Sequence, residues 1–285
     1  MSFGLALAGG GARGAAHVGV LRALEENGLR PDCISGASAG SAVAGLYAMG
    51  RSALELWNIV EELSKESHNL MDFDLPGVLG IFGCLVSRRP VTLPGLFRGE
   101  RLRALLLRHT GGRKLSDVPL PLFIPAVDVN SGCTVVFHNT RTILPCFRGA
   151  KWRRDIPLAE AIRASCSVPM IFRPVVLGEY CLVDGGVANV MPVDLLLAYG
   201  QRNTIAVDIA EDYELPENGN LFEIATHSFS IMSTRLKECT ARGERLLIHP
   251  KLPEEARLFS FEKMPECMQA GYEAALEWIP LIRAL

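Results

Sequence analysis

The segment Gly36-Ala-Ser-Ala-Gly40 places one serine between glycines, after an apolar run at residues 32–36 and before a helical pattern through Ala42, Val43, Leu46 and Tyr47. Strand, tight turn and helix in that order form a nucleophile elbow, which leaves no room for flanking side chains and presents the Ser38 hydroxyl beside a positive helix terminus. Small-residue turns of this kind also arise for purely structural reasons. A second glycine-rich turn, Gly9-Gly-Gly-Ala-Arg-Gly14, joins the apolar run at residues 3–8 to a helical pattern at 12–27, where Val18, Leu21 and Leu24 recur before Gly28. Its amides suit an oxyanion hole for a carbonyl under attack by Ser38. Because Gly9, Gly11 and Gly14 match G-x-G-x-x-G, they also suit a dinucleotide phosphate. A dinucleotide site wants an acid at the end of the second strand. That strand ends in Gly36-Ala37-Ser38, and its nearby acid, Asp32, stands at its beginning, so the cofactor reading is disfavoured.

A third segment, Val183-Asp-Gly-Gly186, ends another apolar run in a carboxylate. Asp before Gly in a turn is commonly structural. Its weight here comes from an expected convergence of three strand ends in one parallel sheet, because such sheets gather ligands at the carboxyl ends of their strands. A Ser-His-Asp hydrolase of the usual α/β-hydrolase order would need its base after Asp184. The histidines there are His227, inside a helical pattern among Ile224, Phe229 and Ile231, and His249, before Pro250 at a strand end. Neither sits in a recognisable catalytic loop, and a serine elbow on the second strand comes too early for that fold. His17, one helical turn beyond the glycine loop, reads as a packing residue or a hydrogen-bond donor to that loop.

These segments need a scaffold. Short apolar runs suited to buried parallel strands, at 3–8, 32–36, 122–129, 134–138, 172–177, 181–183 and 204–209, alternate with helical patterns that include 158–165, 221–238 and 265–283. That alternation is the mark of an α/β fold with helices on both faces of the sheet. At 285 residues the chain has length for two domains or for one large α/β unit, and no linker argues for a separate domain. Hydrophobic residues at 49% and charged residues at 21% exclude a disordered or low-complexity chain. A net charge of -2 gives no basic field, so nucleic acid is not an expected partner. Mean hydropathy is +0.22, yet no apolar run reaches the ~20 residues a spanning helix needs. The eight cysteines lack any C-x-x-C pair and read as buried thiols, with no metal or disulfide framework expected. Residues 3–8 read as a core strand rather than a signal peptide, which makes a reducing cytoplasm the expected location.

Four ordered blocks, Gly9-Gly-Gly-Ala-Arg-Gly14, Gly36-Ala-Ser-Ala-Gly40, Ala164-Ser-Cys-Ser-Val-Pro169 and Asp184-Gly-Gly186, give the chain a resemblance to the patatin-like phospholipases, of bacterial type, over residues 3–200. The resemblance implies a three-layer α/β/α fold with a mostly parallel central sheet. It implies a serine lipid acyl hydrolase that cleaves phospholipid or lysophospholipid carboxylic esters through a Ser-Asp dyad and an acyl-enzyme, with no cofactor. Carried over by residue, Ser38 would be the nucleophile and Asp184 the proton acceptor. Gly9, Gly10 and Gly11 would form the oxyanion hole, and Arg13 and Gly14 would support the loop or bind substrate. Asp184-Gly-Gly186 has Gly where many members have Ala, an accepted variant. Residues 3–200 are then the catalytic core, and 201–285 add strands and helices that complete the same unit. The alternatives are a general esterase or thioesterase acting on soluble acyl substrates, or a non-catalytic lipid-binding regulator.

Residues 68–99 are punctuated by Pro76, Gly77, Gly80, Gly83, Pro90, Pro94 and Gly95 among apolar side chains, which predicts an irregular insertion, either packed on the core or capping an apolar site. Leu79, Ile81, Phe82 and Phe97, flanked by Arg88, Arg89, Arg98 and Arg101, suggest peripheral membrane contact through residues 68–101. A solvated arginine face is the competing reading.

Overall fold

The computed structural model describes residues 2–65, 72–74, 95–145, 149–210, 219, 221–240 and 243–285. A nine-stranded mixed sheet forms its centre. Its strands are β1 (Gly4–Leu7), β2 (Cys33–Gly36), β3 (Leu122–Asp128), β4 (Thr134–His138), β5 (Ala150–Arg153), β6 (Val175–Leu177), β7 (Tyr180–Asp184), β8 (Thr204–Val207) and β9 (Leu246–Ile248). Neighbours run β5-β4-β3-β2-β1-β8-β9, with β7 on β3 and β6 on β7. The contacts β1-β2, β1-β8, β2-β3, β8-β9 and β4-β5 are parallel, whereas β3-β4, β3-β7 and β6-β7 are antiparallel.

The helices are α1 (Ala16–Glu26), α2 (Ala39–Ala48), α3 (Ala53–Lys65), α4 (Glu100–Thr110), α5 (Leu158–Ser165), α6 (Val193–Tyr199), α7 (Leu221–Thr240) and α8 (Met264–Ile282). They flank the sheet on both faces, as two successive residues of β2 demonstrate. Ser35 Oγ donates to Pro192 O at 2.8 Å, at the start of α6. Gly36, pointing the other way by strand alternation, has its missing Cβ filled by the Gly40 backbone of α2. Central strands β1, β2 and β3 are buried at every position, which is why they read as continuous apolar runs rather than alternating ones. Helices α1 and α8 cross so closely that a Cβ on Gly19 would overlap Met268 O and one on Gly271 would overlap Ala16 O.

Several expectations need adjusting. The predicted strand at 172–177 shortens to Val175–Leu177, because Phe172 instead bridges to Phe97. The glycine loop opens into a 3-10 turn at Gly11–Ala15 before α1 begins. Of the cysteines, Cys33 and Cys267 are buried and Cys133 and Cys181 are only half-buried, so the reading of buried thiols fails for those two; Cys166 is half-buried as a residue but turns its thiol inward onto Ser38 O. Leu79, Ile81, Phe82, Arg88 and Arg89 lie outside the described residues. Phe97 packs edge-on against Phe73 at 5.9 Å and near Phe172 at 6.0 Å, and Arg98 pairs with the buried Asp74 at 3.1 Å. No described helix is long and apolar enough to cross a membrane.

Candidate active site

Register sets the site. Leu7, the last residue of β1, is level with Gly36 of β2 and with Val207 of β8, so the glycine loop, the elbow and Asp208 all leave the sheet along one line. Asp184 arrives differently from the expected third parallel strand end. One edge of β3 is shared: β2 pairs in parallel at Leu122 and Phe123, and β7 pairs antiparallel from Ala126 to Asp128. The two strands therefore point their carboxyl ends at each other halfway along β3, and Ser38 meets Asp184 there.

Ser38 has φ 51 and ψ -127 at the N-cap of α2. A positive φ in a residue with a Cβ costs on the order of 1–3 kcal/mol and persists only when its surroundings hold it. Ser38 N–H donates to Ser165 Oγ at 3.0 Å. Its carbonyl accepts from Ser41 N at 2.8 Å, Ser41 Oγ at 2.6 Å and Cys166 Sγ at 3.2 Å. Burial, with the nearby charge of Asp184, pushes the Cys166 thiol up to about 12, so it keeps the proton it donates. The elbow glycines answer to sterics, since a Cβ on Gly40 would overlap Leu7 O and one on Gly36 would overlap Gly40 O.

Asp184 is 2% exposed. Its Oδ1 accepts from Gly186 N at 2.7 Å, and its own N–H donates to Ser167 O at 2.9 Å. Burial raises the carboxyl to about 7, against smaller opposing contributions from the Ser38 hydroxyl and the Gly186 amide. The Ser38 hydroxyl acts on this carboxyl, and Oδ2 is buried without a hydrogen-bond partner among the described residues. The block 164–169, to which sequence reasoning assigned no role, thus supplies Ser165 and Cys166 to the serine and Ser167 to the aspartate.

The expectation of three free loop amides narrows to two, because Gly9 N–H donates to Val190 O at 2.9 Å. The amides of Gly10 and Gly11 make no backbone hydrogen bond among the described residues. Arg13, 6% exposed, donates Nε to Gly10 O at 3.4 Å and so braces the loop. Gly14 lets that loop lie against α2, with a Cβ there only 2.5 Å from Ala39 Cβ. His17 Nε2 donates to Ala8 O at 2.7 Å, and burial lowers the imidazole to about 4. It is therefore a neutral donor beneath the loop. Asp32 accepts from Phe3 N at 3.0 Å, which ties it to the foot of the sheet and away from the loop.

Two cavities meet at Ser38. The larger, about 470 Å³, is lined by Gly9, Gly10, Asp184 and Asp208 and roofed by α7 through Thr226, His227, Phe229, Ser230, Ser233, Thr234 and Lys237. The smaller, about 200 Å³, is almost entirely apolar and runs among Val43, Leu46, Leu56, Ile59, Val60, Leu102 and Leu106. His227 makes no hydrogen bond to Ser38 or Asp184, and His249 lies 3.7 Å from Asp208 through Nδ1. Sequence reasoning missed Asp208 and Lys237. Asp208 follows a strand beside β1, and Thr226, Ser230 and Thr234 recur every four residues, so both were open to strand-end and helical-face arguments. No cluster able to hold a metal occurs among the described residues. A hydroxyl, a buried carboxyl that titrates near neutrality and two amides without a partner among the described residues, at the junction of a polar and an apolar cavity, are the parts needed for acyl transfer.

The model of the patatin-like phospholipase family matches residues 5–197. The chain belongs to this family. An uncharacterised NTE family protein of Mycobacterium tuberculosis is 29% identical over 76% of the chain, and lysophospholipase NTE1 of Mycosarcoma maydis is 32% identical over 73%. The aligned stretch spans 32% and 10% of those proteins, so the chain answers to a minor part of each. Among solved structures, VipD of Legionella pneumophila superposes with a TM-score of 0.52 at 13% identity, over 99% of this chain and 66% of that one. It shares the fold. The match to the family ends before β8, so Asp208, α7 and α8 lie beyond it.

Proposed function

We propose that the protein is a serine lipid acyl hydrolase acting on phospholipid or lysophospholipid carboxylic esters. The observation that carries this is the position of Ser38, at an elbow shared by an apolar cavity and a polar one and beside a buried carboxyl. An ester carbonyl at Ser38 would lay its acyl chain in the apolar cavity and its alcohol portion beneath α7. The name lysophospholipase borne by the Mycosarcoma maydis relative favours the same substrate class. Ser38 Oγ attacks the carbonyl carbon while its proton passes to Asp184 Oδ2, and the Gly10 and Gly11 amides receive the oxyanion. Collapse breaks the ester C–O bond, and Asp184 returns the proton to the departing alcohol. Water then gives a proton to Asp184 and attacks the acyl-enzyme, releasing the fatty acid and restoring Ser38. A carboxyl at about 7 can accept and return a proton near neutral pH, as a general base must.

The test is a fluorophosphonate probe with mass spectrometry of the labelled peptide, alongside fatty-acid release from a panel of lysophospholipids, diacylphospholipids, triacylglycerols and acyl thioesters. Label on Ser38, lost with all turnover in Ser38→Ala, supports the proposal. Label elsewhere with full activity in Ser38→Ala rejects the nucleophile. Preference for soluble thioesters rejects the substrate class.

A further inference from the structure

Among the cations that line the larger cavity, Lys237 is the one on its roof helix. Lys237, on α7, is 12% exposed at its side chain and donates to Asp208 Oδ2 at 2.5 Å. Asp208 is itself fixed, with Oδ1 accepting from Ala210 N at 3.0 Å and its N–H donating to Ile248 O at 2.9 Å. An ammonium carries three donors; Asp208 takes one, and the others meet no further acceptor among the described residues, where Lys237 lines the cavity. One helical turn before it, Ser233 and Thr234 line the same space, and Ser230 follows a turn further back. Thus one face of α7 presents Ser230, Thr234 and a tethered ammonium to the cavity that Ser38 borders, while Ser233 donates to Gly186 O.

We infer that Lys237, held in place by Asp208, recognises the phosphate of the alcohol portion of a lipid ester and so sets preference for phosphate-bearing over neutral glycerol esters. The inference rests on the hydrolase reading for the orientation of the substrate. The chemistry is that of a charge-assisted hydrogen bond from a largely buried ammonium, which attracts a phosphate oxygen more strongly than one on an open surface. The cavity as a whole is not a positive well. Arg13, Lys237 and Arg257 line it together with Asp184, Asp208 and Glu262. Selection must therefore come from a local donor in fixed geometry, not from a net field. Such a site suits a phosphodiester with one charge better than a free dianion.

The test uses binding, so that it does not depend on turnover. Ether-linked alkyl glycerophosphocholine and alkyl glycerol of the same chain length, neither of which the enzyme can cleave, are titrated by calorimetry below their micelle concentrations. Wild type, Lys237→Met and Lys237→Arg are compared. Expected is a loss of about tenfold or more in the affinity ratio of phosphate-bearing to neutral ligand in Lys237→Met, largely restored in Lys237→Arg. An equal loss for both ligands would make Lys237 a tether for α7 and overturn the inference, as would an unchanged ratio. A third arm titrates inorganic phosphate alone. Micromolar binding that Lys237→Met abolishes would mark a free-anion site and overturn the headgroup assignment. Failure of the hydrolase reading would show separately, as absence of fatty-acid release from the corresponding esters with this ratio intact.

Discussion

The floor of the site and its roof are built on opposite principles. The floor consists of the glycine loop, the elbow and α2. There backbone meets backbone, and a Cβ at Gly36 or Gly40 would collide with a carbonyl oxygen. The roof is α7, where, among the residues whose side chains are described, Ser233 is the one buried and none belongs to the hydrophobic core. Its described polar ties to the body include Ser233 Oγ to Gly186 O at 3.1 Å and Lys237 to Asp208. Chemistry that needs sub-ångström placement is assigned to the rigid part. The part that would cover the alcohol in the proposed reaction is held by side chains, which substitution can alter without disturbing the sheet.

The sharpest way to break this contrast is to compare Asp184→Asn in the floor with His227→Ala in the roof. The first should lower kcat about 10³-fold or more with the fold intact, and the second should stay within about tenfold. A roof mutant as inactive as the floor mutant would replace the proposed dyad with a histidine mechanism. Next in size is Gly40→Ala, whose Cβ would overlap Leu7 O and Ala8 O. It should cost at least about 3 kcal/mol in denaturant titration or prevent folding.

The buried carboxyl gives a third, graded effect. Only ionised Asp184 can accept a proton, so kcat/KM should fall about tenfold for each pH unit below about 7. Stability runs the other way. A carboxyl raised by folding favours the native state below its ordinary value, and that contribution is lost as pH rises through about 7. Asp184→Asn should therefore gain stability relative to wild type between pH 5 and pH 8, by a few kcal/mol in order of magnitude, read as a difference in Tm. The smallest effect is expected from Ser233→Ala in the roof, within about 1 kcal/mol of wild type.

The floor was legible because its demands are steric and confined to a few positions. Where backbones cross, glycine is obligatory, and a serine between two such glycines after an apolar run is the pattern that a nucleophile turn requires. Strand Thr134–His138 and helix Leu158–Ser165 matched the sequence reading residue for residue, since uniform burial and clean periodicity mark both. Helices Ala53–Lys65, Glu100–Thr110 and Val193–Tyr199 were passed over, the second because it abuts the irregular insertion and is mostly solvent-facing. Strand Ala150–Arg153 alternates half-buried and exposed residues and carries three polar-tipped side chains, so it shows no apolar run. Asp184 was found at a strand end, but the direction of that strand was not legible. Parallel and antiparallel neighbours demand the same apolar residues, and only pairing with Ala126 on β3 reveals how it faces Ser38.

The end of α5, with the turn that follows it, has a consequence for how the native state opens. Ser38 N–H is bonded to Ser165 and Asp184 N–H to Ser167, two residues apart on one turn, although the serine and the aspartate are remote in the chain. Any excursion that lifts this turn from the sheet releases both protons at once. In native-state hydrogen exchange the two amides should then share one opening free energy and one denaturant dependence, marking a single cooperative unit assembled from three distant segments of the sequence.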